Sequence, residues 1–540
     1  MPRSALPSRL PAHLPGRRRP TLTPRGLALR LAVPAAGVLL LTGCFSGSAD
    51  GTDGAVGPAG STAAGDARIR IAHLQPPRSG FSTITDDAFK MARWSNIEPL
   101  VVLDANGDAQ PLLATAWSPV DDTTWRFTIR PGVQFHDGQP LTPAAVVGSL
   151  SAAAAASPPP RILDGVGLSA EVDPSAPDEA VLVRTTAADP LLPQRLSSPQ
   201  LAIMSPAAYS TDASGTTVVD PVRHATGPFV LTAVNGTSSA SLDRFDGYWG
   251  PKAAAAGIDA AFVPDGTARA AALRTGTADV VEAVPAGQAS LLDPALLHEV
   301  QMPRTNTLYL NTATGVFADP AARAAARAAV DPQTIVDVVY EGRADVAKGL
   351  LGPALPWSAD RPQRTQAPAP AGGGDGRVIT LGTFTDRAEL PEVAVQLQAQ
   401  LEAAGFVVEQ DVREYAQIEA DALSGTFDAF ILSRATVLDS GDPVAYLASD
   451  FSCTGSFNIS QFCDPAVDAA IAAASATPAG PQRRAAVLAA EKLILEADAA
   501  VPMLHERVLQ GEQPGVADAA RDPRERALVT PSTTVGAATS

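Results

Sequence analysis

The sequence predicts an α/β chain of two or more lobes, on three observations. The stretch 377–433 alternates strand and helix patterns. Hydrophobic residues make up 46% of the chain, enough for a packed protein rather than a disordered one. About 470 residues follow the leading segment, more than a single core accommodates.

The strand–helix alternation is read element by element. Residues 377–384 (RVITLGTF) are strand-like, and 389–405 (ELPEVAVQLQAQLEAAG) place Val393, Leu397 and Leu401 on one helical face with Gly405 as a stop. Residues 406–412 form a second strand, 416–423 a second helix and 427–433 a third strand. That order implies a parallel sheet with helices packed on it. Further upstream, residues 68–74 alternate as an opening strand. Trp125, Phe127 and Ile129 alternate with polar residues, Asp137-Gly138 is a turn, and Thr142-Pro143 is an N-cap followed by proline at the first helical position. The alanine runs at 152–156, 253–256 and 321–329 read as helix filler. Residues 362–376 are too rich in Pro and Gly to pack.

The leading segment has its own logic. Seven arginines and no acid precede Cys44, and residues 31–42 are uncharged and largely apolar, ending at Gly43. A basic region, a short apolar run and a small residue describe a secretory signal over residues 1–43. Twelve residues are too few to cross a bilayer, which takes about 20. Leu41-Thr42-Gly43-Cys44 resembles the bacterial lipobox, which implies that the Cys44 sulfur carries a diacylglyceryl group and becomes the new N-terminus. An ordinary signal peptide with a chance cysteine is the alternative. Residues 45–67 are mostly Gly, Ser, Ala and Asp, so 44–67 reads as a lipidated cysteine and a disordered tether spanning roughly 25–30 Å. The chain is thus expected outside the cytoplasm, anchored to the cell membrane.

Removing the seven leading arginines from 40 basic residues leaves 33 against 57 acids, a net charge of −24. That surface excludes nucleic-acid binding, which depends on neutralising phosphates. Cys453 and Cys463, ten residues apart in an exported chain, read as a local disulfide, two free thiols being the other reading. His136-Asp137 sits in a turn without a nucleophile motif. There is no G-x-S-x-G, H-E-x-x-H or Walker A sequence, and His298-Glu299 and His505-Glu506 lack a second histidine at the required spacing. The reading is therefore not an enzyme, and it calls for no cofactor and no metal.

Residues 98–147, TGPFVL (226–231), DGYWG (246–250), LRTGTADVV (273–281), LYLNT (308–312), 317–331 and GDPVAYL (441–447) occur in one order. Together they resemble the peptide- and nickel-binding family of extracellular solute-binding proteins, the receptors of ABC importers. The resemblance covers roughly residues 68–506. One departure is Thr-Pro-Ala-Ala-Val at 142–146, where the family usually has Thr-Ala-Glu-Asp-Val. The resemblance implies a periplasmic-binding-protein-like fold of two lobes joined by a two-strand hinge, with an extra subdomain inserted in the first. On this chain the crossings fall near 304–308 and 500–503. Lobe I is 68–303 plus 503–540 with its insertion at about 99–198, and lobe II is 304–502. The resemblance also implies a peptide or peptide-like ligand gripped between the lobes, and permease and ATPase subunits as partners of a monomer. Alternatives are a nickel chelate or another small solute, or a non-transport envelope lipoprotein.

The stretch after the third lobe II strand faces the cleft, because ligands in open α/β sheets sit beyond the carboxyl ends of strands. In peptide-binding relatives an acid four residues before the proline of a DP or EP pair holds the ligand's ammonium group. Here that is Asp439, with Asp442-Pro443 as the pair. Capping of its own turn is the other reading of Asp439. Arg434 either receives a ligand carboxylate or pairs with an acid of the protein. Ser440-Gly441 stand where some relatives have an aromatic residue or Asn.

Overall fold

The computed structural model describes residues 67–213, 215–370, 373–437 and 440–536. The leader 1–43, Cys44, the tether up to residue 66, and Asp439 lie outside the described residues.

The lobe II elements fall within about two residues of their sequence reading. Val378–Phe384 runs parallel to both Val407–Arg413 and Ala429–Ala435. Helix Glu389–Ala403 buries Leu390, Val393, Leu397 and Leu401 against that sheet. Lobe I repeats the plan: Arg68–His73 lies parallel between Gly257–Phe262 and Val280–Val284. Two long strands, Leu297–Leu310 and Ala500–Glu512, run antiparallel through both lobes and join the two half-sheets into one of eleven strands. Their outer halves pair Leu297 to Gln301 with Gly511 to Arg507, and their inner halves Thr305 to Tyr309 with His505 to Ala500. The ladder is interrupted between Gln301 and Thr305. The residues read from sequence as crossings, 304–308 and 500–503, lie on these two strands, in the half of the ladder beyond the interruption.

The cores divide the same way. One buried cluster lies wholly within 308–504, while the others draw on residues before 300 and after 508. Within lobe I, Ala114–Asp121, Thr124–Ile129, Ala180–Arg184 and Ser169–Val172 form a separate four-stranded sheet. Helix Pro143–Ala155 packs on it, capped by Thr142, whose hydroxyl accepts from the Ala145 amide. Its core runs from Leu100 to Ile203.

The alanine run at 253–256 is not helical. It is an irregular segment feeding strand Gly257–Phe262, with Ala253 and Ala255 buried in the core cluster of that sheet. The run at 321–329 is helical, in Pro320–Ala329, and buries Ala322, Ala325 and Ala326.

Candidate ligand-binding cleft

The carboxyl ends of Val378–Phe384 and Ala429–Ala435 meet the point where the crossing strands change lobe. Arg387 therefore arrives just after one strand and Ser433 and Arg434 at the end of another, beside Arg304 and Glu506 from the crossings. Arg387 donates to Glu506 Oε2 at 2.7 Å and to Glu389 Oε1 at 2.7 Å. The Ser433 hydroxyl donates to Glu506 Oε1. Arg434 makes a two-pronged pair with the fully buried Asp450, at 2.9 and 2.8 Å, and lies 4.3 Å over the Phe457 ring. Tyr340 receives the Asn306 amide at 3.0 Å.

Arg304 differs from its neighbours. It donates to the Ser433 carbonyl at 3.3 Å and stands 3.9 Å from Glu506 Oε2, a carboxylate that Arg387 and Ser433 already engage. Burial pushes its pKa down, and Glu506 does not restore it. Burial acts on Arg387 and Arg434 too, but Glu506 with Glu389, and Asp450, outweigh it and raise both. The Arg304, Arg387 and Arg434 side chains nevertheless keep 34, 31 and 24% of their surface open. All three are thus half-buried charged side chains grouped around Glu506 and Asp450.

Lobe I supplies the facing wall. Arg93, from helix Asp87–Arg93, pairs with Glu282 and, at 2.7 Å, with Glu525. His73, at the end of the first strand, places Nδ1 3.1 Å from Glu282 Oε2, and the Leu74 amide donates to the same oxygen at 2.9 Å. Burial lowers the His73 pKa to about 4, despite Glu282. Burial also works to raise Glu282, but Arg93, His73 and the Leu74 amide hold it at about 2. Leu74, Arg93, Glu282, Gln510 and Glu525 line a small cavity beside the crossings, and the Glu525 charge acts on Arg304 across the junction.

Of the sequence-derived site residues, Arg434 ends its strand with its charge taken by Asp450, the second of the two readings it was given. Asp442 accepts two bonds from Arg483, at 2.6 and 3.1 Å, and a third from the Val444 amide at 2.9 Å, just ahead of helix Val444–Phe451. Cys453 and Cys463 are bonded, 2.11 Å between sulfurs. Cys44 and Asp439 lie outside the described residues. His136 donates from Nε2 to the Gly227 carbonyl at 2.8 Å, with its ring edge-on to Phe245. Among the described residues no group of three His, Cys, Asp or Glu is arranged to hold a metal, and no helix is long and apolar enough to cross a membrane.

Sequence reasoning missed Arg304, Arg387 and Glu506. Arg387 was findable by the strand-end rule applied to 377–384. Glu506 was seen only as half of a metal motif. Several signature segments meet elsewhere, at the buried Glu98. Tyr248 donates to it at 2.7 Å, Trp249 at 3.0 Å and Thr226 at 2.8 Å, and Arg130 lies 4.3 Å over the Trp249 ring. Those motifs lock the insertion onto lobe I.

Residues 108–458 match the model of the bacterial extracellular solute-binding proteins, family 5 (middle). The chain is 27% identical to the glutathione-binding protein GsiB of Pectobacterium atrosepticum over 323 residues, 56% of this chain and 60% of that protein. It is 27% identical over 442 residues to the probable di/tripeptide-binding protein 5 of Pseudomonas aeruginosa, 75% of this chain and 84% of that one. For several curated relatives the match spans only 51–61% of their length. The crystal structure of a nickel ABC transporter from Bacillus halodurans superposes with a TM-score of 0.75 at 22% identity, over 87% of this chain and 100% of that one. That likeness is one of fold. With the family model covering well over half of its length, the chain belongs to family 5 of the bacterial extracellular solute-binding proteins.

Proposed function

We propose that this chain is the solute-capturing component of an ABC importer, closing its two lobes on a peptide or peptide-like solute and delivering it to a membrane permease driven by ATPase subunits. Its family is one of solute-binding proteins, and it is not an enzyme. The observation that carries the reading is Arg304, a half-exposed arginine on a crossing strand whose nearest carboxylate, Glu506 at 3.9 Å, is shared with Arg387 and Ser433. It receives the solute's carboxylate, a role that Arg434, consumed by Asp450, does not fill. Asp439, four residues after Ala429–Ala435 in sequence, takes the ammonium group at the other end. The hinge lies at 302–304 and 506, where each crossing strand changes lobe. Cys44 carries the lipid that holds the chain at the membrane. Relatives named for glutathione and for di- and tripeptides support a peptide-like solute. The nickel-transporter neighbour raises the alternative of a metal chelate, whose carboxylates would use the same arginine.

Calorimetric titration of the full chain with glutathione, trialanine and nickel–histidine tests this. We expect one of the two peptides to bind one per chain, and Arg304→Gln and Asp439→Ala each to weaken it at least about tenfold, since truncating a buried charge contact costs about 2–5 kcal/mol. Binding of nickel–histidine alone would replace the peptide with a chelate. Peptide affinity unchanged in Arg304→Gln would remove the anchor.

A further inference from the structure

The strands Val101–Leu103 and Ala109–Pro111 form a hairpin of lobe I whose turn, residues 104–108, touches lobe II. The turn is internally braced. Asp104 Oδ1 accepts from the amides of Asn106 at 2.8 Å and Asp108 at 3.0 Å, and Gln110 donates to Asp104 Oδ2 at 3.0 Å. Arg524 ties the base to lobe I by donating to the Leu103 and Asp104 carbonyls. The tip makes three contacts on the other lobe. Arg484 pairs with Asp108 at 2.7 Å, the Trp357 indole donates to the Asn106 carbonyl at 3.2 Å, and Gly107 lies against Gly441.

The third contact depends on the absence of side chains. Both glycines have positive φ, +85° at Gly107 and +67° at Gly441. A Cβ on Gly107 would sit 2.8 Å from the Gly441 carbonyl oxygen, and one on Gly441 would sit 2.7 Å from Leu103 Cδ1. Gly441 is two residues from Asp439, and Arg483, next to Arg484, grips Asp442 in the same loop. The hairpin thus holds Gly441 and, through Arg484, the helix Pro481–Glu496.

We propose that the turn at 104–108 is a latch between the lobes: its contacts with Arg484, Trp357 and Gly441 exist only when the cleft is shut, and they set how long it stays shut. Arg484 and Asp108 keep 19 and 32% of their side-chain surface exposed, so salt screens the pair and loosens the latch. Trp357 reports the state. It is the chain's fifth tryptophan and the one in lobe II, and opening exposes its indole to water.

Small-angle scattering and tryptophan emission of the full chain, without added solute, test the latch independently of which solute binds. Gly107→Ala and Arg484→Glu are expected to raise the radius of gyration by roughly 5% over the closed chain, whose ordered part should measure about 23 Å. Both should shift emission to the red, and the shift should vanish in a Trp357→Phe background. The charge swap Arg484→Glu with Asp108→Arg should restore the wild-type values, which separates latch loss from misfolding. Unchanged scattering and emission in both variants would overturn the latch. So would a swap that fails to close, or a wild type already as open as the variants.

Discussion

Replacing Glu98 gives a prediction whose size follows from the geometry. Its carboxylate accepts three bonds, from Tyr248 on one oxygen and from Trp249 and Thr226 on the other, and its side chain is shut off from water. Glu98→Leu leaves three buried donors without an acceptor, each costing about 1–3 kcal/mol. The carboxylate's own desolvation, which raises its pKa, is relieved at the same time. The net loss should be about 3–5 kcal/mol. Glu98→Gln keeps an acceptor for Trp249 and Thr226 and turns its amide toward the Tyr248 hydroxyl, which can accept, so its cost should be about 1–2 kcal/mol. Because the folded-state pKa is raised, the folded chain takes up a proton before the unfolded one as pH falls. Wild type therefore gains on the non-titrating Gln variant on acidification toward the ordinary carboxylate value of 4.5. Urea unfolding at pH 7 and pH 5 should show the gap between wild type and Glu98→Gln widening at pH 5. A Leu variant within about 1 kcal/mol of wild type, or a gap that narrows, would refute the reasoning.

Acid sensitivity should come from three imidazoles. Burial holds His73, His136 and His505 neutral with pKa values near 4, against 6.5 when unfolded. The unfolded chain binds protons between those values that the folded chain does not. Their contribution is complete above pH 6.5 and falls away toward pH 4, by up to about 4 kcal/mol per pH unit before Glu98 and Asp450, both raised, offset part of it. Urea midpoints at pH 7, 6 and 5 should decline, and a flat series would contradict this. Replacing Cys44 with serine should move the protein from the membrane fraction to the medium of its own host, whereas retention at the membrane would contradict lipid anchoring.

The second lobe was legible in the sequence because its strands and helices are local and periodic. Leu390, Val393, Leu397 and Leu401 mark one face of the helix, and each strand is a short apolar run close to it in sequence. The sheet order was not, since Ala500–Glu512 finds its neighbours in segments some 200 residues away. The run at 253–256 misled because alanine's helix propensity is weak and yields to tertiary packing, here the burial of Ala253 and Ala255 in the core ahead of a strand. At the cleft, Arg434 could be placed at a strand end, but not its partner sixteen residues on, and that partner decides whether the arginine is available. Arg304 carries no local mark at all. Its significance rests on Glu506 being engaged by Arg387 and Ser433, three segments that meet only in the folded chain.

The location of the solute is tested most directly by amide hydrogen exchange on the chain with and without the peptide that titrates. The account predicts slowed exchange at residues 74–79, 385–389, 433–437 and 521–527. Protection confined to the insertion sheet or to the outer helices, with those segments unchanged, would contradict it.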